Sequence, residues 1–159
     1  MDAIKILQEK DKNIKFRVAG IGGELEKARQ YAIDNNIAAD FLGNISGDTL
    51  INEFKKANLY ILPSHSEGMP TSVLEAMAFG LPVISRPVGG LCDFFENGKM
   101  GQLIDSLNPE EYAEAIENYI NDKQLLKDTA ESNHCYAKKH FMASRVARKI
   151  EEILGLYVK

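Results

Sequence analysis

Short runs of β-branched and apolar residues alternate along this chain with longer stretches whose apolar residues recur at helical spacing. Glycine or proline ends or follows most of the strands, as at Gly20, Gly43, Pro63 and Pro87. Phe16 to Gly20 reads as a strand that ends in the loop Gly20-Ile21-Gly22-Gly23, and Leu25, Ala28 and Ala32 then share one helix face. Asp40 to Gly43 is a second, short strand. Leu50, Ile51, Phe54 and Ala57 line a helix over Ser46 to Ala57, and Leu59 to Leu62 is a buried-looking strand closed by Pro63. A helix over Ser72 to Phe79 follows, with Gly80 where a left-handed terminating glycine belongs and Pro82 barring continuation. Val83-Ile84-Ser85 and Gln102-Leu103-Ile104 complete the strands. Such alternation specifies a parallel sheet with helices on both faces, the doubly wound α/β class.

Beyond Pro109 the pattern is helical only. Tyr112, Ile116, Tyr119 and Ile120 form one stripe; Val146, Ile150, Ile153, Leu154 and Tyr157 form another, on a last helix over Ser144 to Tyr157. The 159 residues suit one domain, with these C-terminal helices over 109–158 packed on it. One element does not fit. Asp2 to Lys10 is helical, with Ile4 and Leu7 facing inward, yet no strand precedes it; either this helix is peripheral or the chain starts inside a larger pattern.

Charge narrows the function classes. A net charge of −4 argues against nucleic acid as the main partner. The basic stretch Lys138, Lys139, His140, Arg145, Arg148 and Lys149 interleaves with apolar residues at helical spacing. It reads as a solvated helix face, with peripheral contact to a membrane surface as the other reading. Cys92 and Cys135 have no ligand-like spacing, and His65, His134 and His140 are scattered, so no metal site is read. Cys92 is expected to start a short helix and pack inward. With no signal peptide and no membrane span in the sequence, the expected compartment is the cytoplasm, or the inner face of the membrane for peripheral contact.

The chemistry concentrates in Glu67-Gly68-Met69-Pro70-Thr71-Ser72-Val73-Leu74-Glu75. Ser72 and Glu75 have the spacing of a capping box, in which the serine caps a helix and the glutamate reaches back. That structural reading leaves Glu67 unexplained. The functional reading starts from place: ligands of open α/β sheets sit beyond the carboxyl ends of strands, where helix N-termini offer unpaired N–H groups and partial positive charge to an anion. The two readings compete for one carboxylate, since a Glu75 bent back to the cap cannot serve a ligand.

The run SHSEGMPTSVLEAMAFGLPVIS resembles the nucleotide-sugar motif of group 1 glycosyltransferases, also called glycosyltransferase family 4. Two glutamates stand with seven residues between them, Glu67 and Glu75, followed by Ala76-Met77-Ala78-x-Gly80-x-Pro82-Val83. Looser similarity runs from about Ile14 to Ile104. The resemblance implies a Rossmann-like, donor-binding C-terminal half of a GT-B enzyme. It implies transfer of a sugar from a UDP- or GDP-linked donor to a polysaccharide or glycolipid acceptor, with retention and without a metal or other cofactor. Glu67 would meet the transferred sugar, and the backbone of Gly68, Met69 and Pro70 would line its pocket. Thr71, Ser72 and Val73 would face the diphosphate, Glu75 the ribose, and Asn44 and Ile45 the base.

The resemblance also implies parts that this sequence lacks: an arginine and a lysine for the diphosphate, a first central strand, and an N-terminal acceptor domain. Arg86 is the nearer replacement for the cations; Arg17 lies inside a strand. Two or three lost charge-assisted hydrogen bonds cost about 3–6 kcal/mol, which takes a micromolar site to about millimolar or weaker. The 159 residues alone are therefore expected to bind donor weakly and to transfer nothing. Without the central strand, those at 16–20 and 59–62 are expected to pair directly or to receive a strand from another chain. The last helix is expected to expose its stripe and promote self-association. The competing readings are a non-catalytic nucleotide-binding module and a GT-B sugar epimerase relative, the latter disfavoured by the Glu67/Glu75 spacing.

Overall fold

The computed structural model describes residues 1–11 and 13–156. The chain forms two compact units, Met1–Lys56 with Ser106–Asn121, and Ala57–Asp105 with Asp122–Lys159. All strand pairs are parallel, as the βα alternation requires.

In the first unit α1 (Asp2–Lys10), β1 (Phe16–Ala19), α2 (Leu25–Asp34), β2 (Ala39–Gly43) and α3 (Gly47–Lys56) follow in order, and α5 (Pro109–Asn121) joins them from later in the chain. Helix α1 does pack inward: Ala3, Ile4 and Leu7 are buried, and the helix lies against α5, whose Tyr112, Ala113, Ala115, Ile116 and Tyr119 are buried. Of the expected α5 stripe, Ile120 alone faces out. The β1–β2 ladder runs Phe16↔Ala39 to Ala19↔Gly43 with a shift at Val18/Ala19, and the Gly20 amide extends it to the Gly43 carbonyl at 2.8 Å. Gln8 fastens α1 to the entry of β2. Its amide donates to the Ala38 and Ile14 carbonyls and its oxygen accepts from the Ala38 amide, each at 2.9 Å.

The second unit holds β3 (Tyr60–Leu62), α4 (Thr71–Ala78), β4 (Val83–Ser85), a short 3-10 helix (Gly89–Asp93), β5 (Gly101–Leu103), α6 (Lys123–His140) and α7 (Ala143–Gly155). The sheet order is β3-β4-β5. β4 is buried on both faces, as a central strand must be, and Val73, Ala76 and Met77 of α4, with Leu81, Leu91 and Met100, complete the core. α4 packs against α6, where the wholly buried Asn133 donates at 2.8 Å to the carbonyls of Leu81 and Met100. Those carbonyls flank β4 and β5, so one side chain satisfies two chain segments that end at the same helix. Gly80 ends α4 at φ 79, the expected left-handed position, and a Cβ there would crowd the Ala130 carbonyl at 3.1 Å.

Two expectations need correction. The direct pairing of the strands at 16–20 and 59–62 does not form: β1 pairs with β2, and β3 pairs with β4 in a separate ladder. β3 has three residues, and shortness is one way a sheet edge is kept from seeking a partner. Cys92 lies inside the 3-10 helix and is exposed; its neighbour Leu91 takes the buried position. Leu25, Ala28 and Ala32 do share one face of α2, half-buried at the first two and buried at Ala32. The stripe of α7 is exposed as expected, with Val146, Ile150, Ile153 and Leu154 all facing solvent, while Tyr157 lies outside the described residues. No described helix is long and apolar enough to cross a membrane.

Candidate functional site

The carboxyl ends of β3, β4 and β5 in the second unit lead into the loop Pro63–Pro70, into Arg86, and into Ile104-Asp105. The first of these carries the polar cluster. Its path is fixed by glycine: Gly89 has φ 52, and a Cβ on it would stand 2.1 Å from the Gly68 carbonyl oxygen and 2.4 Å from that of Glu67. Both obstacles are backbone, so no side chain fits without moving the loop. The Gly90 amide donates to the Gly68 carbonyl at 2.7 Å and closes the contact.

Of the two readings of Ser72 and Glu75, the capping box is not formed. α4 begins at Thr71, its cap residue is Pro70, and no side chain caps it. Proline has no side-chain oxygen to offer, and because the chain turns helical immediately after it, Ser72 lies inside the first turn rather than before it. The same unit shows the alternative at α6, where the Asp122 carboxylate accepts from the Gln124 and Leu125 amides at 2.9 Å each. At α4 the Val73 amide donates to the Pro70 carbonyl at 3.0 Å, and the Thr71 and Ser72 amides meet no backbone acceptor among the described residues. Glu75 is exposed and Glu67 half-buried, and neither carboxylate has a hydrogen bond or ion pair among the described residues.

Tyr60 ties the two acids to one place. Burial pushes its phenol above the ordinary value of 10.0, a hydrogen bond with the Ser72 hydroxyl opposes that, and the charges of Glu75 and Glu67 push upward again. Both carboxylates thus lie within electrostatic reach of a single phenol at the helix start. Sequence reasoning took Tyr60 only as part of an apolar strand. The signal that could have found it is the polar tip of an aromatic residue in a strand that feeds a polar loop.

The other expected residues divide. Gly68 and Met69 are exposed on the loop, Pro70 is buried at the cap, and Thr71 is exposed. Val73 is completely buried and its amide is engaged, so it presents nothing to an anion here. Asn44, exposed, and Ile45, half-buried, follow β2 in the first unit. Arg17 is occupied by Asp40 at 3.1 Å and by Glu53 at 2.5 Å, within the first unit. Arg86 joins three strand ends: Nη1 lies 3.0 Å from Nδ1 of His65, Nη2 donates to Asp105 at 3.1 Å, and Nε is buried with no partner among the described residues. Asp105 was not anticipated, although it follows β5 as Arg86 follows β4.

The family model for group 1 glycosyl transferases matches residues 1–136. An uncharacterized glycosyltransferase of Methanocaldococcus jannaschii is 32% identical over 158 residues, covering 98% of this chain and 44% of that protein. A D-inositol 3-phosphate glycosyltransferase of Acidothermus cellulolyticus is 32% identical over 151 residues, covering 89% and 33%. The chain spans less than half the length of either relative. Among solved structures, HepE of Anabaena in complex with UDP-glucose superposes with a TM-score of 0.84 at 21% identity, over 98% of this chain and 44% of that one.

Proposed function

The chain belongs to the group 1 glycosyl transferases, and on that premise we propose that its β3–α4 loop binds the nucleotide-sugar donor of a glycosyl transfer. The observation that carries the reading is the uncapped start of α4, where, among the described residues, two amides have no backbone acceptor and two carboxylates have no hydrogen bond or ion pair, beside Tyr60.

Each group has a task that its chemistry suits. The Thr71 and Ser72 amides, aided by the helix dipole, hold diphosphate oxygens and stabilise the charge that builds on the leaving group. The exposed Glu75 carboxylate accepts from the two ribose hydroxyls. Glu67, between the clamped Gly68 and the strand end, accepts from hydroxyls of the transferred sugar and orients it for attack on the face from which the diphosphate leaves, with retention of configuration. The acceptor is a polysaccharide or glycolipid, and UDP- or GDP-linked sugar is the donor. Assayed by themselves, the 159 residues are expected to bind donor at about millimolar affinity or weaker and to transfer no sugar.

Ligand-observed NMR titration of UDP- and GDP-sugars against the wild type and Glu75→Ala tests the reading. Donor signals should broaden with the wild type, and the variant should bind about tenfold less tightly at unchanged melting temperature, the effect of one charge-assisted hydrogen bond. A variant that melts earlier while binding is the same, or absent, in both proteins would return Ser72 and Glu75 to a purely structural role.

A further inference from the structure

In two histidines of the second unit the partner of Nδ1 decides whether that nitrogen carries a hydrogen, and the two cases are opposite. A guanidinium has five N–H groups and no lone pair available, so it can only donate. Nδ1 of His65, 3.0 Å from Nη1 of Arg86, must therefore accept, and the ring proton sits on Nε2. A carbonyl oxygen can only accept, so Nδ1 of His134, 2.7 Å from the Ala78 carbonyl, must carry its hydrogen.

Arg86 is well placed to enforce its assignment. Its side chain is 18% exposed, its far end is anchored on Asp105, and it enters the loop from the neighbouring strand β4. Three residues after His65 the Gly68 carbonyl is held by the Gly90 amide. The loop is thus fastened on both sides of Ser66-Glu67, and His65 is exposed with no partner for Nε2 among the described residues.

We propose that Arg86 is a positioning residue: it fixes the His65 imidazole as the Nε2–H tautomer, so that His65 donates this hydrogen to an oxygen of the bound nucleotide sugar. The second half of this proposal rests on the donor-binding reading of the loop; the first half does not. The acceptor is an oxygen of the diphosphate or a hydroxyl oxygen of the sugar, two sources with the same hydrogen-bonding chemistry. Arg86 itself, taken up by His65 and Asp105, acts through the imidazole.

The test is a long-range 1H–15N correlation of the imidazoles in the full 159-residue chain, alone, with UDP and with UDP-glucose. Without ligand, His65 should show the Nε2–H pattern and His134 the opposite one. A shift of His65 Nε2 with UDP assigns the acceptor to the phosphates, and a shift with UDP-glucose only assigns it to the sugar. Arg86→Met should release His65 into a mixture of tautomers, leave His134 as it was, and weaken nucleotide binding about tenfold or more. His65→Asn retains an acceptor near the position of Nδ1 but has no group at Nε2. It should keep the Arg86 contact and the melting temperature, and lose the same affinity. A proton on Nδ1 of His65 in the wild type, or an Arg86→Met protein with unchanged His65 signals and affinity, overturns the proposal. If the wild type shows the expected tautomers but binds neither nucleotide, the donor role of His65 falls with the donor-binding reading and the Arg86–His65 pairing stands.

Discussion

Arg17 in β1 and Arg86 after β4 each reach two partners, and the partners differ in kind. Arg17 lies between the carboxylates of Asp40 on the neighbouring strand and Glu53 on α3, so its charge is more than balanced inside the first unit. The Glu53 contact is close yet out of line with the N–H bond, an electrostatic pairing rather than a shaped hydrogen bond. Arg86 meets one exposed carboxylate and one imidazole and keeps a buried Nε–H with no partner among the described residues. Nearby in the second unit, again among the described residues, two carboxylates have no hydrogen bond or ion pair and two amides no backbone acceptor. A buried donor such as Arg86 Nε costs free energy when left unsatisfied, whereas the exposed groups are met by water until a ligand replaces it. The contrast teaches that the first unit uses its charges to hold itself together, whereas the second keeps a set of them in reserve at one end of its sheet.

Gly89→Ala should break this contrast most forcibly. The new Cβ would meet backbone oxygens of Gly68 and Glu67, and a non-glycine residue at φ 52 adds its own strain. The loop must move, at a cost of about 2 kcal/mol or more. Denaturant unfolding should show that loss, and nucleotide titration should show weaker binding even where the protein is fully folded. Retained affinity would mean that the path of the loop does not govern the reserve.

Glu53→Gln addresses the other side. Burial alone would push the Glu53 carboxyl up, but the Arg17 guanidinium and the Lys56 ammonium outweigh it and hold it below its ordinary value of 4.5. A lowered carboxyl contributes stability that is present above that value and lost as pH falls through the depressed one. The variant should be less stable than the wild type at neutral pH, and the gap should narrow in acid below about 4.5. Chemical denaturation at a series of pH values measures it. Nucleotide binding by the folded protein should not change; if it does, the division of roles between the two arginine clusters is wrong.

Much of the fold was legible because it is local. Helix α1 over Asp2–Lys10 and strand β4 over Val83–Ser85 follow from periodicity, and Gly80 announces the end of α4 through its left-handed backbone. Pairing was not legible, since nothing near β1 or β3 in the sequence states which strand lies beside it. At the start of α4 a local signature misled: the serine–glutamate spacing promised a cap, but Pro70 set the helix start one residue before Ser72. The two glutamates came from the resemblance to a spaced motif, which carries information that no single helix or strand contains. The Arg86–His65–Asp105 link joins residues 21 and 19 positions apart and becomes visible only when strand ends are brought together.

The smallest effect expected is also the most direct view of the reserve. The Tyr60 phenol is raised first by burial and then by the charges of Glu75 and Glu67, against the pull of Ser72. Replacing Glu75 with glutamine removes one of those charges and leaves the burial, so the Tyr60 pKa should fall part of the way towards its ordinary 10.0. Spectrophotometric titration of the phenols, with Tyr60→Phe as the subtraction, isolates the one group. A tyrosine raised by folding contributes stability that is complete below its unfolded pKa and lost as pH rises through the folded one. The wild type should therefore weaken in strong alkali more than Tyr60→Phe does. A bound diphosphate would add negative charge beside the same phenol and should push it further up, opposite in sign to the effect of Glu75→Gln. If UDP leaves the phenol where it was while still binding the chain, the anion lies somewhere other than the start of α4.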